Sequence, residues 1–217
     1  MSMINLKNRR PLSSRDTKWA AGCAAWLANK GVTPNAISQA SMGTALVAGV
    51  AFAASGHVGS VYGVGAFLIL GAFFCQLRLL CNLFDGMVAV EAGKSAPDGP
   101  LWNEFPDRVS DLLIFAGVGL GVGNLSLGLA AGAMSVLTAY TRELGAGIGL
   151  APDFRGPMAK PQRMALVTGA AIMAVFEPLF AAAGTVLTWS LWIAAIGAAL
   201  TAIRRAARIR TDLLKRG

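Results

Sequence analysis

A short stretch of this chain carries carboxylates and amides at helical spacing, the side chains best suited to hold a hard cation or to move a proton. Six of the 11 acidic residues fall between positions 85 and 111: Asp85, Glu91, Asp98, Glu104, Asp107 and Asp111. Asn82 and Asp85 lie three residues apart in RLLCNLFDGMVAVEAGK, a run of unbroken helical character, so they share one face. Asn103, Asp107 and Asp111 follow one another in steps of four, with Glu104 three before Asp107; Asn103 suits the helix cap and Pro106 the first turn. Asp111 runs straight into LLIFAGVGLGVG and so lies inside an apolar segment, where an unpaired carboxylate costs roughly 2.5–3.5 kcal/mol. Facing carboxylates repel, and a cation between them is the simplest remedy. Oxygen ligands with no neighbouring His or Cys favour Mg²⁺ or Mn²⁺ over zinc, whereas Glu91 and Asp98 read as solvated helix ends.

The elements that position these residues are membrane helices. Of 217 residues, 55% are hydrophobic and 14% charged, with mean hydropathy +0.57, which excludes an ordinary soluble enzyme. At about 20 apolar residues per span, six spans are expected: 37–56, 62–83, 105–123, 126–147, 164–184 and 186–203. The net charge of +8 then becomes a topology. Six of the 19 Lys and Arg precede the first span and six follow the sixth. The remaining seven, Arg78, Lys94, Arg108, Arg142, Arg155, Lys160 and Arg163, lie in or beside the second-to-third and fourth-to-fifth connections. The connections near His57, Asn124 and Thr185 hold none, so an even number of spans with both termini in the cytoplasm satisfies every basic residue. The same distribution argues against nucleic acid as a partner, since the charges flank apolar runs instead of clustering on a soluble module.

One domain, 1–217, is expected: a cytoplasmic and interfacial segment over 1–36, a six-helix bundle over 37–203 and a basic cytoplasmic tail over 204–217. The basic N-terminus lacks the features of a cleavable signal, so the internal spans direct insertion. Residues 15–30 place Trp19, Cys23, Trp26 and Leu27 on one helical face with charges at both ends, the pattern of a helix lying on the membrane surface. Thr33 and Pro34 read as the cap and first turn of the next helix. Cys23, Cys75 and Cys81, odd in number, read as reduced packing residues. Gly117, Gly119, Gly121, Gly123, Gly128 and Gly132 suit close helix packing, with dimerisation as the other use of such a stripe.

The stretch NLFDGMVAVEAGKSAPDGPLWNEFPDRVSD resembles the signature of the CDP-alcohol phosphatidyltransferases, D-x-x-D-G-x-x-A-R followed by G-x-x-x-D-x-x-x-D. Asp85, Gly86, Ala89, Asp107 and Asp111 stand in matching places. Asn82 replaces the first aspartate, Val90 the arginine and Asn103 the second glycine, and the spacer between Val90 and Asn103 is 12 residues. The opening GVTPNAIS of the first span is also similar to that family.

The resemblance implies an all-α integral membrane enzyme of phospholipid biosynthesis. Such an enzyme transfers a phosphatidyl group from CDP-diacylglycerol to an alcohol and releases CMP, with Mg²⁺ or Mn²⁺ as cofactor. By the same resemblance Asp85, Asp107, Asp111, Asn82 and Glu104 are the metal set and Asp111 is the base for the acceptor hydroxyl. Gly86, Ala89, Thr33, Pro34, Asn35 and Lys94 fall to the donor nucleotide, with Arg78 or Lys94 replacing the missing arginine at the diphosphate. Helix packing accounts for Gly86 and Ala89 equally well. Arg142, Arg155, Lys160 and Arg163 resemble an acceptor pocket and suggest a phosphorylated polyol. A homodimer in the cytoplasmic membrane of a bacterium, with the site facing the cytoplasm, is likewise implied. Two other readings stay open: a non-catalytic relative that binds lipid or nucleotide, and a small cation transporter lined by the acids.

Overall fold

The computed structural model describes residues 17–91 and 97–216, with the side chain of Glu91 outside that description. Among the described residues there are helices and no strand. The short helix α1 (Lys18–Asn29) is followed by α2 (Pro34–Ser55), α3 (Val61–Glu91), α4 (Gly99–Gly121), α5 (Leu125–Gly147), α6 (Lys160–Val175) and α7 (Thr185–Leu214). Three of them, α2, α3 and α7, are long and apolar enough to cross a membrane. The helix α6 has only 16 residues, a rise of about 24 Å, short of the roughly 30 Å hydrocarbon core. Charged residues in its first turns lower the apolar character of α4, and Gly, Ser and Thr do the same for α5.

Local chemistry sets the ends. Thr33 caps α2, its hydroxyl accepting from the Ala36 N–H at 3.2 Å, and Pro34 opens the first turn as expected. Two boundaries depart from the expected spans. The helix over 164–184 stops at Val175, because Pro178 cannot continue it and Glu177 turns inward. There the carboxylate accepts from the backbone N–H of Gly184 at 2.7 Å and Val186 at 2.6 Å, closing the start of α7. The basic segment after 203 is no separate tail, since α7 runs on to Leu214. Asn103 does not cap its helix, which begins four residues earlier at Gly99 and leaves Pro106 in its interior.

The helices run alternately up and down. At one end Asn35 of α2 donates to Asp98 before α4, and Arg216 after α7 donates to the Ile148 and Gly149 carbonyls after α5. At the other end Gly56 lies against Gly121 and Gly184 against Val122. The connections at that second end, near His57, Asn124 and Gly184, contain no Lys or Arg. The basic residues therefore gather toward the first end, as their order along the chain predicts.

The helix α2 packs against both α3 and α4, α5 against α4 and α7, and α6 against α3 and α7. Small residues permit the close approaches. A Cβ at Gly117 would sit 2.2 Å from the Gly49 carbonyl oxygen, and Gly119 and Gly128 meet across α4 and α5. Packing thus accounts for Gly117, Gly119, Gly121, Gly128 and Gly132, whereas Gly123 takes a left-handed φ of 70° in the turn after α4. The core comprises Phe52, Cys75, Ile114, Phe115, Met164 and Leu191 among many alanines. The helix α1 buries Ala20 and Ala24, and Ala24 joins Ile37 and Val88. Its Trp19, Cys23 and Trp26 are exposed, with the Trp19 ring edge-on to Phe84 at 6.0 Å.

Candidate active site

Between α3 and α4, which make little direct contact with each other, two carboxylates are ion-paired with three cations. The register of α4 places Asp107 and Asp111 one turn apart, facing α3 and α6. Arg78 of α3 is fully buried and reaches both, its Nη2 standing 3.4 Å from Asp107 Oδ1, 3.3 Å from the Asp107 carbonyl and 3.1 Å from Asp111 Oδ1. The other oxygen of each acid is held from α6. Lys160 Nζ lies 2.5 Å from Asp107 Oδ2, and Arg163 Nη2 lies 2.5 Å from Asp111 Oδ2. Arg163 also donates to the Met158 carbonyl at 2.9 Å and the Thr138 hydroxyl at 3.2 Å. Asp85, seven residues beyond Arg78 on the same face of α3, is buried and accepts from the Ser38 hydroxyl of α2 at 2.9 Å. The charges of Lys160 and Asp107 both act on Asp85.

The remaining expected site residues divide into groups. Asn82 is half-buried, and its Nδ2 is enclosed with no hydrogen-bond partner. Glu104 is turned to guanidinium groups instead of the other acids: it pairs with Arg108 one turn on and with Arg142 of α5 at 2.5 Å. Arg142 also lies over the Phe154 ring, 5.4 Å from its centroid. Arg155 pairs with Asp153 at 3.1 Å on the exposed loop before α6. Part-burial of Asp153 opposes its charge, but the Arg155 N–H and guanidinium outweigh this and hold the carboxyl below its ordinary range. Thr33, Pro34 and Asn35 open α2, and Gly86 and Ala89 lie half-buried just past Asp85. Asn35 donates to Asp98 at 3.0 Å and Trp102 Nε1 donates to it at 2.8 Å; these two bonds, that from Trp102 foremost, lower the Asp98 carboxyl from its usual value. Lys94 lies outside the described residues.

Two arginines carry more of the site than their place in the sequence suggests. Arg78 sits inside GAFFCQLRLLCN, and a charge within an apolar run is the signal that marks it. It is buried between two aspartates and bonded to both. Arg205 looks like a flanking charge of the last helix. It is buried instead, donating to the Thr138 carbonyl at 2.5 Å and the Arg155 carbonyl at 3.2 Å, and so ties the loop before α6 to α5 and α7.

Among the described residues no three of Asp, Glu, His or Cys stand close enough to hold a metal, because Asp107 and Asp111 are turned onto cationic side chains. The donor chemistry nevertheless fits a hard divalent ion. It consists of oxygen alone, and the carboxylates already draw positive charge to one place.

A helical bundle in which three helices are long and apolar enough to cross a membrane, holding buried acids paired with buried bases, defines an integral membrane protein with a polar centre. No protein-family model matches the chain. A phosphatidylinositol phosphate synthase of Streptomyces avermitilis is 28% identical over 203 residues, covering 87% of this chain and 77% of that protein. The fold is similar to crystal structures of Mycobacterium tuberculosis phosphatidylinositol phosphate synthase. The structure with CDP-DAG bound matches at a TM-score of 0.73 and 20% identity, covering 89% of this chain and 94% of that one. The complex with manganese and citrate gives the same score and identity over 88% and 89%. Over most of its length the chain is thus similar to phosphatidylinositol phosphate synthases, in sequence to one and in fold to the other.

Proposed function

We propose that this enzyme transfers the phosphatidyl group of CDP-diacylglycerol to a phosphorylated polyol, of the inositol phosphate or glycerol phosphate class, and releases CMP. The observation that carries the reading is the pairing of Asp107 and Asp111 with Arg78, Lys160 and Arg163, in a chain similar to a phosphatidylinositol phosphate synthase. Asp85 and Asp107, with Asp111, the Asn82 carbonyl oxygen and Glu104, are the residues that would hold Mg²⁺ or Mn²⁺. When bound, the metal supplies charge neutralisation at the diphosphate as CMP leaves.

The chain's own residues do the rest. Asp111 is oriented by two guanidinium groups, and each oxygen keeps a second lone pair to accept a proton. The acceptor hydroxyl gives that proton to Asp111 as its oxygen bonds to the phosphorus bearing diacylglycerol. The bond from that phosphorus to CMP breaks, and its electron pair departs with CMP. Gly86, Ala89 and the Thr33–Asn35 turn, with Lys94, bind the nucleotide. Arg142, Arg155, Lys160 and Arg163 bind the acceptor phosphate, and Arg205 joins them by fixing the loop that carries Arg155.

The helices α2 to α7 are read as six spans, with α1 on the membrane surface, in the cytoplasmic membrane of a bacterium as a homodimer. The basic residues gathered toward one end support a site that faces the cytoplasm. Glu177, the acid nearest the other end, is spent on capping α7, which argues against an acid-lined path for cations.

The test is CMP release from CDP-diacylglycerol by purified protein, with Mn²⁺ and a panel of alcohols. Asp111→Asn is expected to lower the rate by a factor of about 10²–10⁴, the usual contribution of a positioned base. Binding of CDP-diacylglycerol without CMP release for any acceptor would favour the non-catalytic relative.

A further inference from the structure

The three cations of the cluster are not equivalent. Arg78 is fully buried and bonded to two acids and a carbonyl. Arg163 is almost as enclosed and is fixed by Asp111, Thr138 and the Met158 carbonyl. Neither can leave without stranding a buried charge. Lys160 differs in three respects. Its side chain is 25% exposed, Asp107 Oδ2 is the one hydrogen-bond acceptor recorded for Nζ, and it is the first residue of α6, at the end of the loop that carries Arg155.

We propose that Lys160 is a place-holding cation. Its ammonium neutralises Asp107 in the empty enzyme, a divalent ion displaces it, and the freed ammonium then binds the anionic acceptor. This rests on the metal-dependent reading above and adds an order of events to it. The ion-paired set has two carboxylates, Asp107 and Asp111, against Arg78, Lys160 and Arg163, so a dication entering beside Asp107 adds to a local excess of positive charge. Expelling Lys160, the most exposed of the three cations, relieves that excess. Metal and acceptor phosphate therefore bind with positive coupling, through a side chain that cannot serve both carboxylate and phosphate at once.

The experiment uses the full chain in detergent or nanodiscs, without donor. Mn²⁺ binding is measured by calorimetry for wild type, Lys160→Met and Lys160→Gln. Removing the competing cation is expected to tighten Mn²⁺ binding by about fivefold or more, the range of typical coupling between sites. Inorganic phosphate is then titrated with and without Mn²⁺. Wild type should bind it more tightly when the metal is present, and both variants should lose most of that dependence. Unchanged or weaker Mn²⁺ binding in both variants overturns the exchange while leaving the metal reading intact. Full coupling surviving in the variants overturns the transfer of Lys160 to the acceptor. Failure of Mn²⁺ to bind any of the three proteins removes the metal reading and the proposal with it.

Discussion

Each carboxylate oxygen of Asp107 and Asp111 faces a cation within an apolar bundle, and Arg78 is the partner they share. Removing that shared partner leaves two buried carboxylates under-compensated. Arg78→Met is therefore expected to lower stability by about 3–5 kcal/mol, read from unfolding in a fixed detergent. Combining it with Asp111→Asn should cost less than the sum of the single changes, since the second substitution removes the charge that the first one stranded. Additive losses would mean that the pair does not interact. The acids of this site were legible from their spacing on two helices. Their pairing was not, because Arg78 meets Asp111 across 33 residues and Lys160 meets Asp107 across 53. From sequence Arg78 falls to the donor diphosphate and Lys160 to the acceptor pocket, and spacing alone does not show that both pair with the acids.

The loop between α5 and α6 behaves as a positioned element. Gly156 has φ of 144°, which a side chain rarely adopts, and a Cβ there would lie 2.3 Å from the Thr201 methyl. The Thr201 hydroxyl accepts from the Met158 N–H at 3.1 Å, so the loop is seated on α7 just before Lys160. Gly156→Ala is expected to cost about 1–3 kcal/mol through backbone strain and to raise KM for the acceptor while leaving that for CDP-diacylglycerol unchanged. Kinetics with each substrate varied in turn separate the two effects. A rise in both values would place the loop's influence on the whole site. Element existence followed from apolar length. Two ends did not, because Glu177 stops α6 through a contact with α7, and the basic run after residue 203 is amphipathic enough to stay helical.

At the scale of the whole molecule, alternating helices carry the basic residues toward one end and leave the other with His57, Asn124 and the turn before α7. If the bundle crosses the membrane six times, His57→Cys and Ala182→Cys, placed in a background lacking Cys23 and Cys81, should react with an impermeant maleimide in intact cells. Lys215→Cys should react only after permeabilisation. Reaction of all three from outside would refute the topology. This arrangement was legible from the sequence because membrane orientation follows charge counts along the chain. The pairing of acids with bases was not, since it depends on which helices become neighbours.

The long separation of those partners gives the site a history in time. Asp107 and Asp111 are synthesised 53 and 52 residues ahead of Lys160 and Arg163. At a synthesis rate of about 5–20 residues per second, the two acids wait roughly 3–10 s with Arg78 as their only partner of the three. A nascent chain halted before α6 would hold an anionic, half-built centre, so arrival of α6 is the event that makes the inserted protein electrically complete.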